Sequence, residues 1–100
     1  MRDISESGIR PVVIQELRDL ARKYELDRVI LFGSRARGDY RRTSDIDLAA
    51  SGENVVRFAL DAEEETSTLL KYDVVNLDGC VQEELLESIR KEGIVLYEKI

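Results

Sequence analysis

The pattern of apolar and polar positions divides the chain into short segments. Behind Pro11, the residues Val13, Leu17, Leu20 and Tyr24 recur at helical spacing, with Glu16, Arg18, Asp19, Arg22 and Lys23 on the remaining positions. That spacing predicts an amphipathic helix to about Tyr24. Pro11 suits its first turn, where a missing N–H costs nothing. The run from Arg28 to Phe32 is apolar and rich in β-branched residues, and it stops at Gly33, as a buried strand does. Residues 33–44 hold two Gly, two Ser, one Thr and many charges, which predicts a loop with room for one helical turn. Residues 45–50 alternate polar and apolar, a half-covered strand ended by Ser51 and Gly52. Val55, Val56, Ala59, Leu60 and Ala62 mark a helix within 53–68, with Glu63, Glu64 and Glu65 as a solvated face near its end. Residues 72–77 form a third strand stopped by Asp78 and Gly79. Val81, Leu85, Leu86 and Ile89 mark a last helix, with Glu83 and Glu84 well placed near its start and Gly93 as its stop. Residues 94–97 add a short strand or an extended tail, and residues 1–9 read as a loose arm or a partner contact. This order predicts an α/β (α+β) domain with a small sheet flanked by helices.

Composition narrows the function. One hundred residues, 43% of them hydrophobic, suit a single domain over 1–100 with one core, and argue against disorder. The 21 acidic residues outnumber the 15 basic ones, and a net charge of -6 argues against direct nucleic-acid binding. The absence of His excludes His-based zinc sites and Ser-His-Asp or Cys-His catalysis. Cys80 stands alone, so no internal disulfide forms, and a reducing, cytoplasmic setting is expected. With no His to activate it, Cys80 reads as a thiol near a turn. No apolar run approaches the ~18 residues of a membrane span, and no basic-then-apolar leader opens the chain, so neither a membrane nor a secreted protein is expected. The charge is unevenly spread: residues 1–50 carry +1 and residues 51–100 carry -7. Arg35, Arg37, Arg41 and Arg42 make one loop cationic in an anionic chain.

That loop begins the strongest motif, Gly33-Ser34-Arg35-Ala36-Arg37-Gly38, followed by Ser44-Asp45-Ile46-Asp47-Leu48. Asp45 and Asp47 are two apart on a predicted strand, so both side chains share one face. Asp is disfavoured in strands and like charges so close repel. Mg²⁺ answers both objections, because it takes carboxylate oxygens and keeps positions open for substrate phosphates. Taken alone, the pair reads more simply as a wet acidic edge. The glycine loop changes that balance. Gly33 lets backbone approach a ligand, Ser34 offers a hydroxyl, and adjacent N–H groups with Arg35 and Arg37 suit an anion. No P-loop ending and no Gly-x-Gly-x-x-Gly is present, and a calcium loop from Asp45 would meet Ala50 where Gly is required. Two-metal transfer needs a further carboxylate. Asp73, in an apolar strand, is preferred to Asp78, which abuts Gly79 and resembles a turn residue. The three carboxylates converge if the two strands are neighbours. Tyr40 could stack on a base, although a loop tyrosine at the surface is the commoner case.

The pattern Gly-Ser-x-x-x-Gly with Ser-Asp-x-Asp and a later strand acid resembles the DNA polymerase beta-like nucleotidyltransferase superfamily. The segments GSRARG and SDIDLA in so short a chain are similar to the minimal nucleotidyltransferases, the antitoxin-type partners of helical HEPN-domain proteins. The resemblance covers about residues 12–97. It implies the polymerase beta-like fold, a small mixed sheet with flanking helices. It implies that Gly33 and Ser34 hold the triphosphate of a nucleoside triphosphate, with Arg35 and Arg37 at variable motif positions as further phosphate contacts. It implies that Asp45 and Asp47 ligate two catalytic Mg²⁺ ions. Asp73 would complete the triad, bind one of the metals and help deprotonate the attacking hydroxyl. The implied activity moves AMP from ATP to a hydroxyl, on a tyrosine of a cognate HEPN-type toxin whose RNase is thereby neutralised.

Two other functions stay open. One is a binding module that neutralises a helical partner by contact alone, its acidic second half meeting a basic surface. The other is a small-molecule nucleotidyltransferase whose acceptor site comes from a partner or a dimer mate. Larger superfamily members carry a domain for base or acceptor recognition. The 100 residues leave no room for one, so a homo- or hetero-oligomer is expected to supply the acceptor.

Overall fold

The computed structural model describes residues 3–99. After a 3₁₀ turn at Ile4–Glu6 the elements run α1 (Pro11–Lys23), β1 (Arg28–Phe32), α2 (Gly33–Arg37), β2 (Ile46–Ser51), α3 (Val55–Glu65), β3 (Tyr72–Asn76), α4 (Glu83–Glu92) and β4 (Ile94–Glu98). The four strands make one mixed sheet in the order β3-β2-β1-β4. β1 runs antiparallel to both β2 and β4, while β2 and β3 are parallel, joined through α3. A parallel pair requires such a crossover, and α3 supplies it.

The strict alternation within β1 sorts its side chains between two faces. Val29 and Leu31 join Ile46, Leu48 and Ala50 in the main core, closed by Val13, Leu17, Leu20 and Ala21 of α1 and by Val55, Phe58 and Ala62 of α3. Ile30 and Phe32 point the other way, into a smaller cluster with Ala49 of β2 and Ile89 of α4. The sheet is thus covered generously on one face and sparingly on the other. α2 lies at the end of β1, between two glycines of positive φ, Gly33 (75°) and Gly38 (92°). Gly38 is the left-handed cap that such a short helix needs to stop, and its N–H donates to the Ser34 carbonyl.

The expected elements are all present: α3 begins two residues later and ends three earlier than the expected span of 53–68, and residues 94–98 are a strand rather than a tail. Asp45 lies just before β2 rather than on it. The loose arm is a correction: residues 1 and 2 lie outside the described residues, but Ser7 is fully buried and Ile9 joins the core.

What anchors that arm is Arg35, the one charged side chain buried among the described residues, at 2% exposure. Its Nη1 donates to the Ser7 carbonyl at 2.9 Å, its Nε to the Ser44 carbonyl at 3.1 Å, and its Nη2 to the carbonyls of Arg42 and Arg41 at 3.2 and 3.5 Å. The guanidinium also lies 4.7 Å from the centre of the Tyr40 ring. A buried charge is tolerable when its donors are answered, and these carbonyls answer them. No helix among the described residues is long and apolar enough to cross a membrane. Arg35→Lys keeps the charge but loses the planar fork. It should lower stability by about 2–4 kcal/mol in urea titration. A loss within ~0.5 kcal/mol, ordinary for a surface change, would show that the guanidinium does not hold the loop.

Candidate active site

The motif residues meet at one end of the sheet, on its sparsely covered face. Parallel pairing sets Asp47 beside Asp73, and the antiparallel register sets Asp47 opposite Phe32, directly before Gly33. Ala49, two residues along β2, belongs to the α4 cluster, so Asp47 projects to the same side. Gly33 is the contact that makes this possible. A Cβ on Gly33 would collide with the Asp47 carboxylate, and its φ of 75° is one that side-chain-bearing residues rarely adopt. Backbone from the start of α2 and a carboxylate from β2 therefore sit against each other. Ser34, half-buried, presents a hydroxyl that makes no hydrogen bond among the described residues.

The electrostatics of the three acids are coupled. Burial pushes the Asp47 carboxyl above the usual carboxylate range, Asp73 and Asp45 push it further, and Arg37 opposes them. The desolvation thus falls on Asp47. Asp73 is exposed, because β3 is the outer strand, so the burial expected of an acid in an apolar strand is not what singles it out. Its claim rests on register with Asp47. Asp78 is elsewhere occupied: its carboxylate accepts from the Gly52 N–H at 2.8 Å and shapes a turn. No group of three or more Asp, Glu, Cys or His among the described residues is arranged to enclose a metal ion by itself. The metal set expected of Asp45, Asp47 and Asp73 is therefore not preformed, although Mg²⁺ accepts one or two protein carboxylates with phosphate oxygens at its remaining positions.

The two arginines part company. Arg37 is half-exposed at the end of α2, donating to Glu92 at 2.9 Å and Asp39 at 3.2 Å, and its charge reaches Asp47. Arg35, expected as a phosphate contact, is a correction: its donors face backbone carbonyls and it is sealed from solvent. Tyr40 is likewise engaged, with Arg35 against its ring and Gly8 packed on its edge. Glu92, which fastens Arg37 to α4, was not visible in the sequence, because 55 residues separate the pair.

A carboxyl that holds its proton more tightly folded than unfolded loses stability as pH rises through that interval. The cost is absent below the unfolded value, near ~3.9, and complete above the folded one. Asp47→Asn should therefore raise the urea midpoint of the metal-free protein at pH 7, since it removes a carboxylate disfavoured by burial and by neighbouring acids. The gain should fade below pH ~4, where wild-type Asp47 is itself protonated. Urea titrations at both pH values check this, and an unchanged or lowered midpoint at pH 7 contradicts it.

Comparison with known proteins agrees with this geometry. Residues 15–100 match the family model described as "Polymerase beta, Nucleotidyltransferase". The Methanocaldococcus jannaschii protein named "Putative protein adenylyltransferase MJ0604" is 38% identical, over 72% of this chain and 79% of its own. A structure described as a "putative minimal nucleotidyltransferase" superposes with a TM-score of 0.65 at 29% identity, covering 81% of this chain and 86% of that one. A toxin-antitoxin crystal structure with AMP-PNP gives a TM-score of 0.70 at 23% identity, covering 86% of this chain and 73% of that one, and shows the shared fold. With its glycine loop, paired strand carboxylates and mixed sheet, the chain is a nucleotidyltransferase and belongs to the polymerase beta nucleotidyltransferase family.

Proposed function

We propose that the protein is a Mg²⁺-dependent adenylyltransferase that moves AMP from ATP to a hydroxyl of another protein, a tyrosine of a cognate HEPN-type toxin, and so acts as an antitoxin. The observation that carries this reading is the register of Asp47 beside Asp73 with Gly33 against Asp47. The named relatives support the class: one is called a protein adenylyltransferase and another is a toxin-antitoxin assembly with an ATP analogue. The single thiol, Cys80, is free, which fits a reducing cytoplasm.

In this reading Gly33 and the Ser34 hydroxyl hold the triphosphate where backbone comes closest to the acids. Asp45 and Asp47 offer oxygen donors to the metal, and the repulsion that raises the Asp47 carboxyl is relieved when a cation arrives. Held by Asp45 and Asp47, Mg²⁺ would supply positive charge to offset the charge developed in the displacement. Asp73, exposed beside Asp47, accepts the proton of the acceptor hydroxyl as its oxygen bonds to the α-phosphorus and pyrophosphate departs. Arg37 adds positive charge on the same side, as its pull on Asp47 indicates.

Incubation with α-labelled ATP, Mg²⁺ and the protein encoded next to this one tests the reading. Wild type should label the neighbour, and Asp45→Asn, Asp47→Asn and Asp73→Asn should each reduce the rate by about 10²–10³ or more. Asp78→Asn should transfer at the wild-type rate. Equal labelling by wild type and the Asp47 variant would refute the site. Rescue of cells from the neighbour by the Asp47 variant would instead favour neutralisation by contact alone.

A second outcome separates metal from nucleotide. MgCl₂ alone should raise the melting temperature of wild type at pH 7 and leave that of Asp47→Asn unmoved, since only the ionised carboxylate gains from the cation. Equal shifts in both proteins would place the metal elsewhere.

A further inference from the structure

Behind the loop that precedes Asp45 lies a second cavity, of about 390 Å³. It is bounded by the N-terminal segment at Gly8–Arg10, by Tyr40 and Arg42 of the loop, and by Thr68 and Leu70 ahead of β3. Three arginines line it, Arg10, Arg35 and Arg42, and no acidic residue does so among the described residues. In a chain of net charge -6, a concave wall carrying three positive charges and no negative one is conspicuous.

The three cations differ in how fully they are engaged. Arg35 is locked on carbonyls and contributes fixed charge from the floor of the cavity. Arg10 donates to the Ser67 carbonyl. The side chain of Arg42 makes no hydrogen bond or ion pair among the described residues and is exposed. The Thr68 hydroxyl accepts from the Leu70 N–H at 3.1 Å, which leaves its own proton to donate. The free donors are thus the Arg42 guanidinium and the Thr68 hydroxyl, on a wall whose uncharged remainder includes Ile9, Val13, Tyr40 and Leu70. The Tyr40 ring, held between Arg35 and Gly8, is not free to stack on a base.

From this we infer that the cavity is a binding site for a small phosphate-bearing anion, recognised through its phosphate oxygens and without need of a nucleobase. Arginine forks match tetrahedral oxyanions, and the cavity has ample room for a diphosphate. The site is separate from the glycine loop at Gly33 and Ser34. It is nevertheless tied to it, because the same Arg35 that floors the cavity fixes the carbonyls of Arg41, Arg42 and Ser44, directly ahead of Asp45. An anion seated there stiffens the segment that delivers the first motif carboxylate.

Inorganic pyrophosphate, added without metal to ¹⁵N-labelled full-length protein at fixed ionic strength, tests the inference by NMR. The amide signals of Arg10, Arg42, Thr68 and Leu70 should move along a saturating curve, and those of Ser44 and Asp45 should follow with the same midpoint. Arg42→Gln removes an arm that supports nothing in the fold, and should weaken this binding roughly tenfold, the loss of one charge-assisted contact. Arg10→Gln should act in the same direction. Linear, unsaturable shifts, shifts confined to Gly33 and Ser34, or an Arg42→Gln protein with unchanged affinity would each overturn the inference. Nucleotidyl transfer itself is read in a separate assay, so the loss of this binding and the loss of transfer remain distinguishable.

Discussion

A guanidinium out of water must find oxygen on every side, and that constraint organises this molecule. Arg35 is carried on a helix of only five residues, between two backbones that could not otherwise stay together. By drawing in the carbonyls of Ser7, Arg41, Arg42 and Ser44 it folds the N-terminal segment and the polar loop around one charge. The loop has little apolar content with which to hold itself. Its shape, and hence the approach of the chain to β2, depends on this charge being satisfied.

The site is built by distributing two difficult tasks. The sheet absorbs the repulsion of neighbouring carboxylates by strand pairing, since the backbone bonds of β2 and β3 fix Asp47 beside Asp73 regardless of their charge. The glycine at the start of α2 removes the steric obstacle, letting backbone stand against the Asp47 carboxylate. Neither device stabilises the isolated chain. Together they leave Asp47 part-buried among like charges, its carboxyl pushed above the usual range by burial and by Asp73 and Asp45.

Much of the fold was legible in the sequence because its cues are local. The helical recurrence of Val13, Leu17 and Leu20, the β-branched run ending at Phe32 and the polar alternation after Asp45 each report an element from its own residues. The spacing of Asp45 and Asp47 is local and could be read directly, whereas the register that sets Asp73 beside Asp47 needed the sheet order. Arg35 was not legible. An arginine beside a glycine loop has the same sequence environment whether it faces a phosphate or a set of carbonyls, and Ser7, which decides the matter, lies 28 positions away. The burial of the N-terminal segment was hidden for the same reason, as was the partnership of Arg37 with Glu92. Each depends on which distant segments meet, and single-residue preferences carry no such information.

The outermost position of β3 has a geometric consequence. Its neighbour β2 covers one side, and nothing among the described strands covers the other. Asp73 therefore stands at a rim instead of at the bottom of a shaft. A rim can be met by a broad, rigid body, whereas a shaft admits only what is slender enough to enter. A hydroxyl borne on the surface of a folded macromolecule could thus be brought to this carboxylate by simple apposition of two surfaces, with no unfolding of the macromolecule and no opening of the sheet.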